Sequence, residues 1–159
     1  MAIVNLSDWC RNLTPRRIRN AVVKIAFLLD KGVVTMSPVG DPSKWVTLKN
    51  GNYVDYESVH GIVEDYTGGR FRANWQVGIN HQPQGETGRI DESRAGTQTL
   101  AVNLASLAAY QLGDTIYILN NVPYAERLEN GWSGQAPVGM VGVTVARIDE
   151  FVRTATGGT

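Results

Sequence analysis

Residues 14–38 read TPRRIRNAVVKIAFLLDKGVVTMSP, and this stretch decides the fold. Thr14 followed by Pro15 is a helix start. A threonine hydroxyl can accept from a free amide of the first turn, and proline is tolerated where its missing N–H would have no partner. Ile18, Ala21, Val22, Ile25, Ala26, Leu29 and Val33 then recur at three- and four-residue steps, the spacing of one helical face. Arg16, Arg17, Arg19, Asn20, Lys24, Asp30 and Lys31 are expected mostly off that face. Phe27 and Leu28 fall outside the stripe, which points to cover on a second face. Ser37-Pro38-Val39-Gly40-Asp41-Pro42 ends the helix, because proline removes a donor and turns the residue before it away from helix. A shorter helical turn, capped by Ser7 and carrying Trp9 and Leu13, is expected ahead of it.

Downstream the period changes. Trp45–Lys49 and Asn52–Tyr56 flank Asn50-Gly51, the strongest short hairpin signal. Residues 57–66 carry no clear period, and Thr67-Gly68-Gly69 is a turn. Arg70 to Ile79 alternates: Phe71, Ala73, Trp75, Val77 and Ile79 on one side, Arg70, Arg72, Asn74, Gln76 and Gly78 on the other. That pattern predicts a half-buried strand with a polar, partly basic second face. Asn80–Thr87 (NHQPQGET) is a polar loop. Arg94–Leu112 is expected to be helical, with Leu100, Leu104, Leu107, Ala108 and Gln111 sharing a face and Gly113 ending it. Thr115–Asn120 reads as a strand and Tyr124–Asn130 as a short helix stopped by Gly131. Val141, Val143 and Val145 alternate as in a strand. Met140, Val141, Thr144, Val145, Ile148, Phe151 and Val152 keep a helical spacing for longer, which favours helix. The expectation is one α+β domain over 1–159. A small, mostly antiparallel sheet packs against a long N-terminal helix and a C-terminal helix, with a β-hairpin insertion over approximately 45–66.

Composition bounds the function. The chain has 159 residues, with 15 Lys+Arg against 15 Asp+Glu, so the formal net charge is zero. Such balance argues against a protein whose main task is coating nucleic acid. A hydrophobic content of 43% with 19% charged residues is globular. Cys10 is the only cysteine, which excludes an intramolecular disulfide framework and a Cys-based zinc site. Met1–Asn12 lacks a basic segment followed by a long apolar one, and the apolar stretch Ala21–Leu29 is interrupted by Lys24. A soluble protein made in a reducing cytoplasm is therefore expected.

Catalytic constellations are thin. His60 and His81 read as solvated loop histidines, and neither has a metal-ligand spacing to a second His or to Cys10. No metal and no cofactor is expected. Thr67-Gly68-Gly69-Arg70 fails as a phosphate loop, since no Gly-Lys-Ser/Thr follows and a strand rather than a helix is expected next. Glu64-Asp65 and Asp91-Glu92 are neighbours that diverge on regular elements and are expected to be solvated. An enzyme is not expected. Arg70 and Arg72, two apart on one strand face, suggest an interface pairing with carboxylates of another subunit. A solvated sheet face ranks next, and a wall facing DNA phosphates after it. The segment from Tyr124 to Pro137 combines an aromatic helix start, a glycine stop and Trp132, which suits either an interface anchor or a residue folded back onto its own core.

Three ordered blocks carry a resemblance. They are Ser37-Pro38-Val39-Gly40-Asp41-Pro42-x-x-Trp45, Gly68-Gly69-Arg70-Phe71-Arg72-Ala73-Asn74-Trp75, and Asn120-Asn121-x-Pro123-Tyr124-Ala125-x-x-Leu128-Glu129-Asn130-Gly131-x-Ser133-x-Gln135-Ala136-Pro137-x-Gly139-Met140. Over roughly Pro15 to Phe151 the chain resembles the tailed-phage neck and tail-component family, whose members are called tail completion, minor tail protein Z-like or tail terminator proteins. The resemblance implies a structural virion protein and no catalysis. It implies a homo-oligomeric ring, often a hexamer, at the head–tail junction, in the virion after assembly in the host cytoplasm. Implied partners are further copies of the chain, a tail tube protein and head-side connector or adaptor proteins. DNA would pass the lumen without specific binding, and no membrane is involved.

Under this resemblance the Gly68–Trp75 block is a central strand and the Asn121–Gly139 block lies near a subunit boundary. Candidate interface residues are Arg70, Arg72, Asn74, Tyr124, Glu129, Trp132 and Gln135. The insertion departs from the family pattern; Trp45, Asn50, Gly51 and Tyr53 are its candidate contacts. A ring contact joins two different patches, and an edge strand or hairpin can pair with a neighbour's edge. A small nucleic-acid-binding module using Arg70, Arg72 and Trp75 is the alternative, and a head-side connector or minor tail component is the alternative within the same class.

Overall fold

The computed structural model describes residues 14–41, 46–60 and 67–157. The expected turn at Ser7–Leu13, Cys10, Trp45 and the Glu64-Asp65 pair lie outside them. In chain order the elements are α1 (Pro15–Met36), β1 (Val46–Lys49), β2 (Asn52–Asp55), α2 (Tyr56–His60), α3 (Arg70–Ala73) and β3 (Trp75–Ile79). Then come α4 (Thr97–Leu107), β4 (Ile116–Asn120), α5 (Ala125–Glu129), α6 (Val141–Val145) and α7 (Ile148–Thr156). The architecture is α+β, as expected: a long N-terminal helix, a small antiparallel two-stranded sheet, and a C-terminal helix packed against α1.

α1 starts where the sequence says, with the Thr14 hydroxyl accepting from Arg17 N at 3.3 Å and Pro15 in the first turn. It ends at Ser37, whose backbone is extended. Both sides of α1 are covered. Arg19, Ala26, Asp30 and Val34 face α4, β3 and their flanking loops, whereas Lys24 and Gly32 face α6 and α7. With 3.6 residues per turn these two sets fall on opposite sides of the helix. Gly32 is required there, because a Cβ would overlap the Thr144 side chain on α6. Two-sided cover accounts for Asp30, which was expected off the apolar stripe and is wholly buried.

β3 and β4 pair antiparallel, with Val77 opposite Ile118 and Ile79 opposite Ile116. Val77 packs with Ala26 and Leu107 in one apolar cluster. Trp75 joins Val33, Val34, Phe71, Val122 and Met140 in a second. Burying this much apolar surface is the dominant favourable term in the fold.

Four expectations are corrected here. The strand expected over Arg70–Ile79 begins only at Trp75; Arg70–Ala73 is a helical turn. Gly69 at φ +95° redirects the chain, and a Cβ there would strike the Asp91 backbone. Asn74 closes the turn by donating to Arg70 O at 2.8 Å. The element after the glycines is thus helical, contrary to the reason given for rejecting a phosphate loop, though Gly69 N itself donates to Val39 O. Secondly, the helix expected over Arg94–Leu112 is α4, and its buried edge is Thr99, Asn103 and Leu107; Leu104, Ala108 and Gln111 are exposed. Polar groups take the inward edge because each has a buried partner: Asn103 Nδ2 donates to Asp30 Oδ1 and to Trp75 O. Thirdly, Asp91 is buried, not solvated, and accepts from Thr99 N and Oγ1 at 2.8 Å to hold the first turn of α4. Fourthly, the residues after Asp55 turn helical, so Tyr56 belongs to α2 and not to the hairpin.

The contested C-terminal element is helical, in two pieces. The hairpin is present as β1 and β2 with Asn50 at φ 52° and Gly51 at φ 80°, the backbone of a tight two-residue turn. It packs mainly on α2.

Candidate assembly surfaces

The basic residues expected to share a strand face are separated by the helical turn. Arg70 stays at the surface, in a two-pronged contact with Glu86 at 2.9 Å for each bond and over the Tyr124 ring. Arg72 points inward and is buried. Its guanidinium donates to Val34 O at 3.1 Å, to Ser37 O at 2.5 Å and to Ser93 O. Burial lowers its pKa from the ordinary value, and the nearby Asp91 charge opposes that shift. Arg72 thereby caps the end of α1, sharing Val34 O with the Ser37 amide and satisfying Ser37 O. Asn74 is also buried, with Oδ1 accepting from Thr87 N at 2.8 Å. Arg72 and Asn74 therefore do not lie on a surface facing a neighbour or DNA, and the paired guanidinium wall does not form.

The second cluster is arranged differently. Tyr124 packs against Phe71, with ring centroids 6.1 Å apart, and forms the floor beneath Arg70. Glu129 accepts from the amides of Met140, Val141 and Gly142 at 2.8, 2.9 and 3.0 Å. Burial alone would raise its pKa, but these bonds outweigh it and hold the carboxyl below the usual range. Glu129 thereby clips α5 to the start of α6. The intervening loop is pinned at Gly139, where a Cβ would meet Glu129 O, and at Gln135, whose Oε1 accepts from Val39 N at 3.3 Å. Trp132 stands on this braced loop 75% exposed, with Arg127 over its ring at 5.9 Å. Val138, six residues on, is 70% exposed. Of the two readings of Trp132, the structure takes the outward one.

Asn50 and Gly51 are exposed at the hairpin tip, and Tyr53 pairs with Leu48 in the ladder. His81 lies in an exposed loop as expected; His60 is exposed but ends α2. A cleft of about 240 Å³ opens between β4, α5 and α6, bordered by Leu119, Ala125, Glu126 and Val141. Glu129 also lines it, with both carboxylate oxygens committed to the α6 amides. No convergent acid–base pair remains there. Among the described residues no cluster of three metal-ligating side chains occurs, and no helix is long and apolar enough to cross a membrane.

The sequence signal missed was the absence of charge. No Asp, Glu, Lys or Arg lies between Arg94 and Asp114, nor between Glu129 and Arg147. Apart from Ile90, every exposed large hydrophobic among the described residues falls within or at the border of these two runs. In a search of known proteins, the chain gives no significant match to a family model, to a curated protein or to a solved structure.

Proposed function

We propose that this chain is a structural subunit of a tailed bacteriophage. It forms a homo-oligomeric ring at the neck that completes or terminates the tail and joins it to the head. The reading starts from the three ordered sequence blocks and from one structural observation. Trp132 and Val138 project from a loop braced by contacts of Glu129, Gln135 and Gly139, within the longest of those blocks. An exposed tryptophan on a braced loop has little further entropy to lose on docking, which is the character of an interface anchor. Tail tube and head-side connector proteins are its proposed neighbours. DNA passes through the lumen without specific binding, in keeping with the zero net charge.

Reconstruction of a particle that carries the chain tests this reading. The expected result is density for several copies encircling the tail axis at the neck. Absence of the chain from mature particles would overturn it, as would turnover of a substrate by the purified protein.

A further inference from the structure

The chain contains two Asn-Gly pairs, Asn50-Gly51 at the hairpin tip and Asn130-Gly131 after α5. Both asparagines are exposed, and both glycines hold φ near +80°. Neither the dipeptide nor exposure of the asparagine separates them; hydrogen bonding does. We propose that Asn50 is a site of spontaneous modification, converting to aspartate and isoaspartate in the folded chain, and that Asn130 is protected. The proposal stands apart from the phage reading and does not need the ring.

The chemistry is ring closure of an asparagine on the next residue. The glycine amide nitrogen, its proton taken by solvent hydroxide, attacks the carboxamide carbon Cγ. The N–Cγ bond forms, the bond from Cγ to the carboxamide nitrogen breaks, and that nitrogen leaves as ammonia with a proton from water. Water then opens the cyclic imide. Breaking the new N–Cγ bond leaves aspartate on an ordinary backbone. Breaking the original peptide bond instead leaves the chain running through Cβ and Cγ, as isoaspartate. One water is consumed and one ammonia released, with no oxidation or reduction. Glycine favours the step because no Cβ shields its nitrogen.

Three observations separate the two sites. The first is that the reacting groups at the hairpin tip are unengaged. Neither the Asn50 carboxamide nor the Gly51 amide bonds to another described residue, and a Cβ on Gly51 would meet nothing within 4 Å. The second is that both groups are engaged at the other pair. Asn130 Nδ2 donates to Glu126 O at 2.8 Å, and Gly131 N donates to Leu128 O at 3.1 Å. A Cβ on Gly131 would strike Pro137 O, so the backbone there is also hemmed in. The third is support. The hairpin packs mainly on α2, and a lone two-stranded hairpin is marginally stable. Its tip can open locally and turn Gly51 N toward Cγ, while the Asn130 site must first break two bonds.

The products differ in effect. Either one places a carboxylate beside Lys49 where a neutral amide stood. Aspartate tolerates the positive φ of position 50. Isoaspartate adds a backbone carbon to a two-residue turn, which disrupts the register that sets Lys49 opposite Asn52.

Timed incubation of the purified full chain at mildly alkaline pH tests the proposal. Peptides from an acid-stable digestion are read by chromatography and mass spectrometry, which separate asparagine, aspartate and isoaspartate at both positions. A parallel incubation in guanidinium removes the folded structure. The folded chain is expected to convert Asn50 about tenfold or more faster than Asn130, because two hydrogen bonds guard only the latter. In guanidinium the two rates should come within about threefold of each other, since both are then unfolded Asn-Gly pairs. Isoaspartate should accompany aspartate at Asn50, as ring opening requires. An Asn50 that stays intact in the folded chain overturns the proposal. So does equal conversion of Asn130 in the folded chain, a tenfold difference that persists in guanidinium, or aspartate formed with no isoaspartate.

Discussion

Replacing Asp30 by asparagine probes the centre of the molecule. The Asp30 carboxyl is wholly buried; Oδ1 accepts from Asn103 Nδ2 at 2.9 Å and Oδ2 has no hydrogen-bond partner. Burial pushes its pKa up from 3.8 to about 7, against the smaller opposing pull of the Asn103 bond. A carboxyl raised in this way binds its proton more tightly in the folded chain than in the unfolded one. Its contribution to stability is therefore largest at low pH and is lost as pH rises through about 7. Proton linkage between those two values gives a loss of about 2.5 kcal/mol between about pH 5 and about pH 8. Asparagine is the isostere of the protonated acid and does not titrate. Urea unfolding of both proteins across that window, at one fixed protein concentration so that association contributes equally, reads the difference. The wild type should lose about 2.5 kcal/mol relative to Asp30→Asn as pH rises. Asp91, Asp114, Glu129 and Glu150, all held below their ordinary values, are present in both proteins, so their contribution cancels in the comparison. If the two pH profiles run parallel to within about 0.5 kcal/mol, the carboxyl is not titrating in a dry site, and the account of two-sided cover on α1 is wrong.

Other outcomes follow from the same contacts. Arg72→Ala should cost about 3 kcal/mol or more in urea unfolding, since carbonyls of Val34, Ser37 and Ser93 lose a charged donor. Arg72→Lys should recover little of it, because one ammonium cannot reproduce the planar fork. Glu129→Gln should destabilise by about 1–2 kcal/mol at neutral pH through weaker acceptance from the amides of Met140, Val141 and Gly142. The Glu129 pKa is depressed, so its contribution is present above the unfolded value of 4.5 and lost as pH falls through the folded one. Acid titration followed by circular dichroism should show that loss in the wild type and not in Glu129→Gln. Trp132→Ala should leave the urea midpoint within about 0.5 kcal/mol of wild type, as for an exposed residue, while reducing self-association in sedimentation.

Much of the fold was legible because it is local. The Thr14-Pro15 start and the Ser37-Pro38 end of α1 follow from donor counting in the first and last turns. Asn50-Gly51 announces its hairpin through the positive φ that its turn demands. Strand β4 and helix α5 were also readable, as was the helical nature of the C-terminal element. The failures share one cause. Phe71, Ala73 and Trp75 alternate as a strand would, yet Arg72 and Asn74 between them are buried too, because the segment is enclosed on every side and its polar groups have partners from distant stretches. The same holds for Thr99 and Asn103 on α4, which took the inward edge that Leu104 was expected to hold.

Periodicity, caps and turn residues are properties of short stretches, so the sequence alone determined that this chain makes a long helix, a hairpin, an antiparallel pair and a helical C-terminus. It also set the charge balance and the two runs without charge. Tertiary structure decided which side of each element points inward. That choice depends on whether a buried polar group finds a partner, and the partners of Asp30, Arg72 and Asn103 lie dozens of residues away. Only the packed molecule shows that the two uncharged runs end on opposite sides of α1, since a helix covered on both flanks has to push its neighbours' remaining apolar edges out toward solvent.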